Sequence, residues 1–160
     1  MPLRPKPGFA FGRALAWGVS TGAGIGFIPR VPGAAGSLLG LGLYGWAPVL
    51  HPLPYLAAVL GSFFIGVVLT GWAEEFSGNP DDPRIILDEV VGMWIALYDL
   101  PRTWPYLLFS FLLFRAFDIW KPFGEPGQRG LGIMVDDLMA GVCANIGVQL
   151  GDWLGGALRG

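Results

Sequence analysis

The chain has 160 residues, of which 53% are hydrophobic and only 14% charged, with a formal net charge of −2 and a mean hydropathy of +0.55. A soluble domain carries about 25% charged residues, so the composition points to lipid as the solvent, and the near-neutral balance gives no footing for nucleic acid. A single cysteine, Cys143, excludes an intrachain disulfide and a thiolate metal site, and a single histidine, His51, leaves Ser-His-Asp chemistry only if His51 is itself the base. Beside Pro52, His51 reads instead as a loop residue at a membrane surface. The length suggests one domain, residues 1–160.

Residues 1–7 hold three prolines and two basic residues and are expected to be loose. The uncharged stretch after Arg13 contains four glycines, a serine and a threonine, a poor apolar core for a signal peptide, so it is expected to be retained. Residues 8–19 read as a short interfacial helix, with Phe9, Phe11, Leu15 and Trp17 toward lipid and Arg13 snorkelling. Residues 20–36, STGAGIGFIPRVPGAAG, are dense in Gly and Pro and read as a loop at the surface or lining a polar cavity. From Val31 to Ala73 there is no Lys, Arg, Asp or Glu. Prolines 48, 52 and 54 divide this run into a short span at 37–47 and a better transmembrane candidate at 55–72.

Residues 74–84, EEFSGNPDDPR, read as a polar loop. A helix follows over 85–98 with Asp88 and Glu89 near its start, ended by Asp99-Leu-Pro101. The next runs 104–120 and stops at Lys121-Pro122. The last runs from about 136 to 154, its acidic pair Asp136 and Asp137 placed at the helix N-terminus. The expected fold is therefore all-α: a membrane-embedded bundle of about four to six helices, with the polar motifs on one side. With the N-terminus in the cytoplasm, Arg4, Lys6, Arg13, Arg30, Arg84, Arg115, Lys121 and Arg129 fall inside and only Arg102 and Arg159 outside, as the positive-inside rule requires. The same arrangement puts the Gly/Pro loop, Asp88, Glu89, Asp118, Asp136 and Asp137 on one face.

A charge at the middle of a bilayer costs roughly 2.5–3.5 kcal/mol on insertion scales, so acids and bases in such a chain call for a cavity, a partner or a headgroup. Hard divalent cations take carboxylate oxygens, waters and substrate phosphates. Asp88 and Glu89, Asp118, and Asp136 and Asp137 could supply such ligands from three helices. Arg115 lies on the same helical face as Asp118, and Lys121 at the helix end could reach a phosphate. Acids for a metal and bases for a phosphate fit phosphoryl chemistry near a bilayer surface. Structural roles stand beside these: both acidic pairs could complement helix N-termini, Arg115 and Asp118 could form an i,i+3 ion pair that locks two helices together, and Lys121 could anchor a helix end.

The segments GIGFIPRVPGAAGSL (24–38), ILDEVVGMWIAL (86–97), LFRAFDIWKP (113–122) and GLGIMVDDLMAG (130–141) together resemble the phosphatidylglycerophosphatase A family. The order FRxFDxxKP then GIMxDDxxAG is a far more specific signature than any single motif. The resemblance implies a magnesium-dependent phosphatase of the bacterial inner membrane, its active face cytoplasmic, acting on the lipid phosphatidylglycerophosphate. It carries over Asp88, Glu89, Asp118, Asp136 and Asp137 as catalytic or Mg2+-binding residues, and Arg115 and Lys121 as phosphate-side residues. Arg30 and Ser37 join the phosphate side as the cation and the hydroxyl nearest the Gly/Pro loop. Where the family reads PGT-x-GS this chain has Pro32-Gly33-Ala34-Ala35-Gly36-Ser37, and where some relatives carry an aspartate it has Gly71. The alternative in another class is a non-catalytic helical membrane subunit whose charges serve assembly. The arrays expected of CDP-alcohol phosphotransferases and of DxDx[TV] phosphatases are missing, and histidine-dependent lipid phosphatases need more than His51. The discriminating observation is positional: whether the oxygens of Asp88, Asp118 and Asp136 come close enough to share one ion.

Overall fold

A computed structural model describes residues 7–80, 82–120 and 131–157, with side chains from residue 11 onward. The expectations for Lys121, for the basic residues Arg4, Lys6, Arg129 and Arg159, for the side chain of Phe9 and for residues 1–6 lie outside the described residues. Those described form six α-helices and no strand: α1 (Pro7–Ser20), α2 (Pro32–Trp46), α3 (Pro52–Ser77), α4 (Leu87–Ala96), α5 (Trp104–Trp120) and α6 (Leu131–Ala157), with a 3-10 turn at Ile25–Phe27.

Several boundaries differ from expectation. The Gly/Pro stretch is loop only as far as Val31. Pro32 opens α2 from its first turn, where its missing N–H costs nothing and its fixed φ suits a helix. The 74–84 loop begins later, because α3 runs on through Glu74 and Glu75 to Ser77. Glu75 is held by Arg13 of α1 at 2.7 Å, and Gly78 in the left-handed conformation ends the helix. Helix α6 starts before Asp136, so Asp136 and Asp137 lie in its second turn and not at its N-terminus.

Helix α4 is the hub. It is ten residues long, yet Val90, Val91, Met93 and Ala96 are all buried, as expected of a helix apolar on every side. Its direction relative to its neighbours follows from the contacts. Gly36 of α2 abuts Ile86 and Glu89, Gly40 abuts Val90 and Met93, and the Trp94 indole N–H donates to the Gly40 carbonyl at 2.9 Å. These pairs advance together, so α2 and α4 are parallel. Helices α4 and α6 are parallel too: Asp88 meets Asp137, Gly92 meets Gly141, and Ala96 meets Asn145, at a constant separation of 49 in sequence. By contrast α3 is antiparallel to α4, since the Tyr55 hydroxyl donates to the Trp94 carbonyl while Gly66 lies near Leu87. Helix α5 is antiparallel to α6, with Tyr106 bonded to Asp152 and Leu113 against Gly147. The amino ends of α2, α4 and α6 and the carboxyl end of α5 therefore share one end of the bundle.

Tyr44, Met93, Leu97, Phe114, Ala140 and Ala144 form the main core. Val59, Phe63, Val91 and Met134 form a second cluster between α3, α4 and α6. Outside the core the surface is apolar. Helices α3 and α6 are each long and apolar enough to cross a membrane, and α3 buries only 22% of its most apolar window within the protein. A helix of 26 residues spans roughly 39 Å at 1.5 Å per residue, beyond the ~30 Å of a bilayer core.

Candidate active site

The shared end of the bundle holds a cleft of about 630 Å³, lined by Arg30 to Ala34, Asp82, Asp88, Glu89, Arg115, Asp118, Asp136 and Asp137, with Phe111, Ile119 and Ile133 as apolar wall. Seven of the residues anticipated from sequence meet in it. Ser37 does not: its fully buried hydroxyl donates to the Gly33 carbonyl at 2.9 Å, the back-bond a serine makes inside a helix. Arg84 does not line the cleft either, being bonded to Asp82 and stacked over the Trp17 ring at 4.8 Å.

Within the cleft only part of the expected acidic set draws together closely. The oxygens that come within 4.8 Å of one another belong to Asp88, Glu89 and Asp137, not to Asp88, Asp118 and Asp136. Two helices supply them, not three. The register of α4 on α6 explains it. A methyl group added at Gly92 would stand 2.7 Å from the Asp137 carbonyl and 2.8 Å from the Phe114 ring, and one at Gly141 would collide with the Gly92 carbonyl. The two backbones touch at this point, one turn below the acids. Asp88 and Asp137 each lie four residues before the touching glycine, so both carboxyls are pressed into the same space.

Asp88 and Asp137 are buried, Glu89 is half-buried, and all three are incompletely satisfied. Asp88 is 8% exposed and Asp137 4%. Oxygen Oδ1 of Asp88, Oε2 of Glu89 and Oδ2 of Asp137 are buried with no hydrogen-bond partner. Asp88 and Glu89 sit in the first turn of α4, whose N-cap Ile86 offers no side-chain cap, so they also complement the positive end of that helix. That role does not occupy the outward oxygens. Buried carboxylates without partners are costly, and like charges this close compound the cost. Oxygens sharing one magnesium at about 2.1 Å lie roughly 3–4 Å apart, so this donor set and spacing fit a hard divalent cation.

The cationic side is built from two elements. Arg115 of α5 pairs with Asp118 one turn on, as one structural reading of the sequence anticipated, and the two still line the cleft. Arg30, in the loop before α2, has a left-handed backbone with φ 74°, costing roughly 1–2 kcal/mol for a non-glycine residue. Asp82, which sequence reasoning left in a polar loop, also faces the cleft. Its carboxylate accepts from the Arg84 backbone N–H at 3.0 Å and from Nε at 2.8 Å. Those bonds hold its pKa down to about 2. The spacing Asp-x-Arg was the signal available for it.

A model of the phosphatidylglycerophosphatase A family matches residues 18–152. The chain belongs to the phosphatidylglycerophosphatase A family. Among curated relatives, phosphatidylglycerophosphatase A of Escherichia coli is 36% identical over 130 residues, covering 78% of this chain and 76% of that one. The Haemophilus influenzae protein of the same name is 36% identical over 136 residues, covering 80% and 83%. A Bacteroides thetaiotaomicron protein named "Putative phosphatidylinositol-3-phosphatase" is 36% identical over 149 residues, covering 85% and 92%. No solved structure gives a significant match. The family match spans the whole cleft, from the Gly/Pro loop to α6.

Proposed function

We propose that the protein hydrolyses the terminal phosphomonoester of phosphatidylglycerophosphate, giving phosphatidylglycerol and inorganic phosphate, with Mg2+ held by Asp88, Glu89 and Asp137. The observation that carries this is the trio of carboxylates with buried, unpartnered oxygens, facing a cleft that also presents Arg30 and Arg115. The names of the E. coli and H. influenzae relatives support the substrate. What magnesium supplies when bound is polarisation of the phosphoryl oxygens and a lowered pKa for water. The chain supplies the rest. Arg115, oriented by Asp118, and Arg30 would offset charge on the phosphoryl oxygens. Hydrolysis takes one proton from water and gives one to the departing glycerol oxygen. Asp118 and Asp136 line the cleft outside the trio, where their carboxyls could serve those transfers.

The site would lie at the cytoplasmic boundary of the bacterial inner membrane. The long apolar helices α3 and α6 support a multi-pass chain, and the parallel run of α2, α4 and α6 supports one polar face. The test is phosphate release by the purified protein in detergent micelles. Turnover of phosphatidylglycerophosphate is expected, lost in EDTA and restored by magnesium. Turnover that survives EDTA would remove the metal from this account. Preference for phosphatidylinositol 3-phosphate in the same assay would move the substrate toward the one named for the Bacteroides relative.

A further inference from the structure

The amino end of α2 enters the cleft uncapped. Its N-cap residue, Val31, makes no side-chain cap, and Pro32 occupies the first turn. The first bond back to the chain is from the Ala35 N–H to the Val31 carbonyl at 3.0 Å, so the N–H groups of Gly33 and Ala34 are left among the orphan donors of a helix start. Both residues line the cleft. Gly33 is pressed against charge on two sides: a methyl group there would stand 2.7 Å from Glu89 Oε1 and 3.0 and 3.1 Å from the two terminal nitrogens of Arg115. The same cleft is lined by Asp88 and Asp137, whose buried oxygens Oδ1 and Oδ2 lack a partner.

We infer that this helix end is the phosphate seat: the Gly33 and Ala34 N–H groups, flanked by Arg115 and Arg30, hold a phosphomonoester dianion beside the carboxylate trio, whose Glu89 adjoins Gly33. The identity of the ligand rests on the phosphatase reading above. The donors select the class. Two backbone N–H groups on the positive end of a helix and two guanidinium groups suit three terminal oxygens carrying two charges. A phosphodiester offers two such oxygens and one charge. Gly33 is thus a positioning residue: without a Cβ, the α2 backbone comes close enough for its N–H groups and Arg115 to meet the same oxygens.

The test measures binding of inorganic phosphate to the full chain in phosphate-free detergent, by phosphorus-31 line broadening, in EDTA and again with magnesium. Gly33→Ala is expected to weaken phosphate about tenfold or more, the loss for one displaced charge-assisted contact. Ala34→Pro deletes one donor at a position where proline is tolerated and should weaken phosphate in the same direction, so it decides the matter if Gly33→Ala fails to fold. Gly42→Ala, on the same helix in open space, should bind as the wild type does. No phosphate binding by the wild type in EDTA, or equal binding by wild type and both variants, overturns the seat. Weakened binding in the variants with no release of phosphate from phosphatidylglycerophosphate keeps the seat and removes the lipid phosphatase. Turnover with phosphate binding unchanged in the variants does the reverse.

Discussion

At the end of the bundle away from the cleft, Asn145 donates to the carbonyls of Ala96 at 3.2 Å and Tyr98 at 2.7 Å, and its own oxygen accepts from Gln149 at 2.8 Å. Nearby, Arg102 donates to the Ala47 carbonyl at 2.8 Å and lies 4.2 Å over the Tyr44 ring. At the cleft end, Asp88, Glu89 and Asp137 each keep a buried oxygen with no partner. The same two helices, α4 and α6, supply both arrangements along one register. Close helix contact therefore accounts for burial at either end but not for the missing partners. A buried polar atom normally finds a partner in the fold, and the end where charged atoms do not is the end fitted to bind something else. Hydroxyls of Ser20, Thr70 and Ser110 also lack partners, but a neutral hydroxyl pays a smaller desolvation penalty than a carboxylate.

The contrast predicts opposite signs for substitutions at the two ends. Asp137→Asn should lower turnover by about 10²–10⁴-fold, the loss of several kcal/mol of transition-state stabilisation. In EDTA the same variant should melt higher than the wild type, because one of three crowded charges is gone. Magnesium should raise the wild-type melting temperature, by about 2.7 kcal/mol of linkage at a hundredfold excess over its dissociation constant, and should do so much less for the variant. Melting curves of both proteins with and without the ion check this. An Asp137→Asn protein that melts lower in EDTA would mean the carboxylate is already satisfied.

Asn145→Ala should act the other way. It strands the buried Ala96 carbonyl and the part-buried Tyr98 carbonyl, costing about 1–3 kcal/mol. That cost should be the same with and without magnesium, and turnover per folded molecule should hold. A magnesium-dependent loss, read by denaturant unfolding, would erase the distinction between the ends.

How much of this could be read from the chain depends on the range of the interaction. The start of α5 at Trp104 was legible because proline rules act on adjacent residues. Pro32 was read as a breaker, although a proline can equally open a helix, and only the packing of Gly36 and Gly40 on α4 makes it open one. The end of α3 was placed before Glu74 because acids suggest a loop, yet Glu75 has its partner in Arg13, far away in sequence. The cleft's residue types were visible as a set. Which acids meet was not, because that depends on Gly92 lying against Gly141, a register that no local spacing encodes. Of the five acids expected, Asp88, Glu89 and Asp137 close up for that reason, while Asp118 pairs with Arg115 and Ser37 lost its place to a bond within its own helix.

Asp82 provides the finest test of the contrast, since it is a buried carboxylate at the cleft end whose needs are met. Its side chain is 1% exposed, its Oδ1 accepts from the Arg84 backbone and Nε, and its Oδ2 accepts from Nη2 at 2.6 Å. If missing partners rather than burial mark the site, Asp82 should behave like Asn145. Arg84→Met should then lower the melting temperature, because a buried acceptor is left unpaired, with no dependence on magnesium. The pH dependence has a definite sign. The folded pKa of about 2 lies below the ordinary 3.8, so the pair's contribution is complete above about pH 4 and is lost as pH falls toward 2. The gap in melting temperature between wild type and Arg84→Met should hold steady from pH 5 to 8 and close across that acid range, roughly the span between the two pKa values. A gap that persists unchanged below pH 2 would show that Arg84 acts through its stacking on Trp17 and not through Asp82, and Asp82 would cease to be a control.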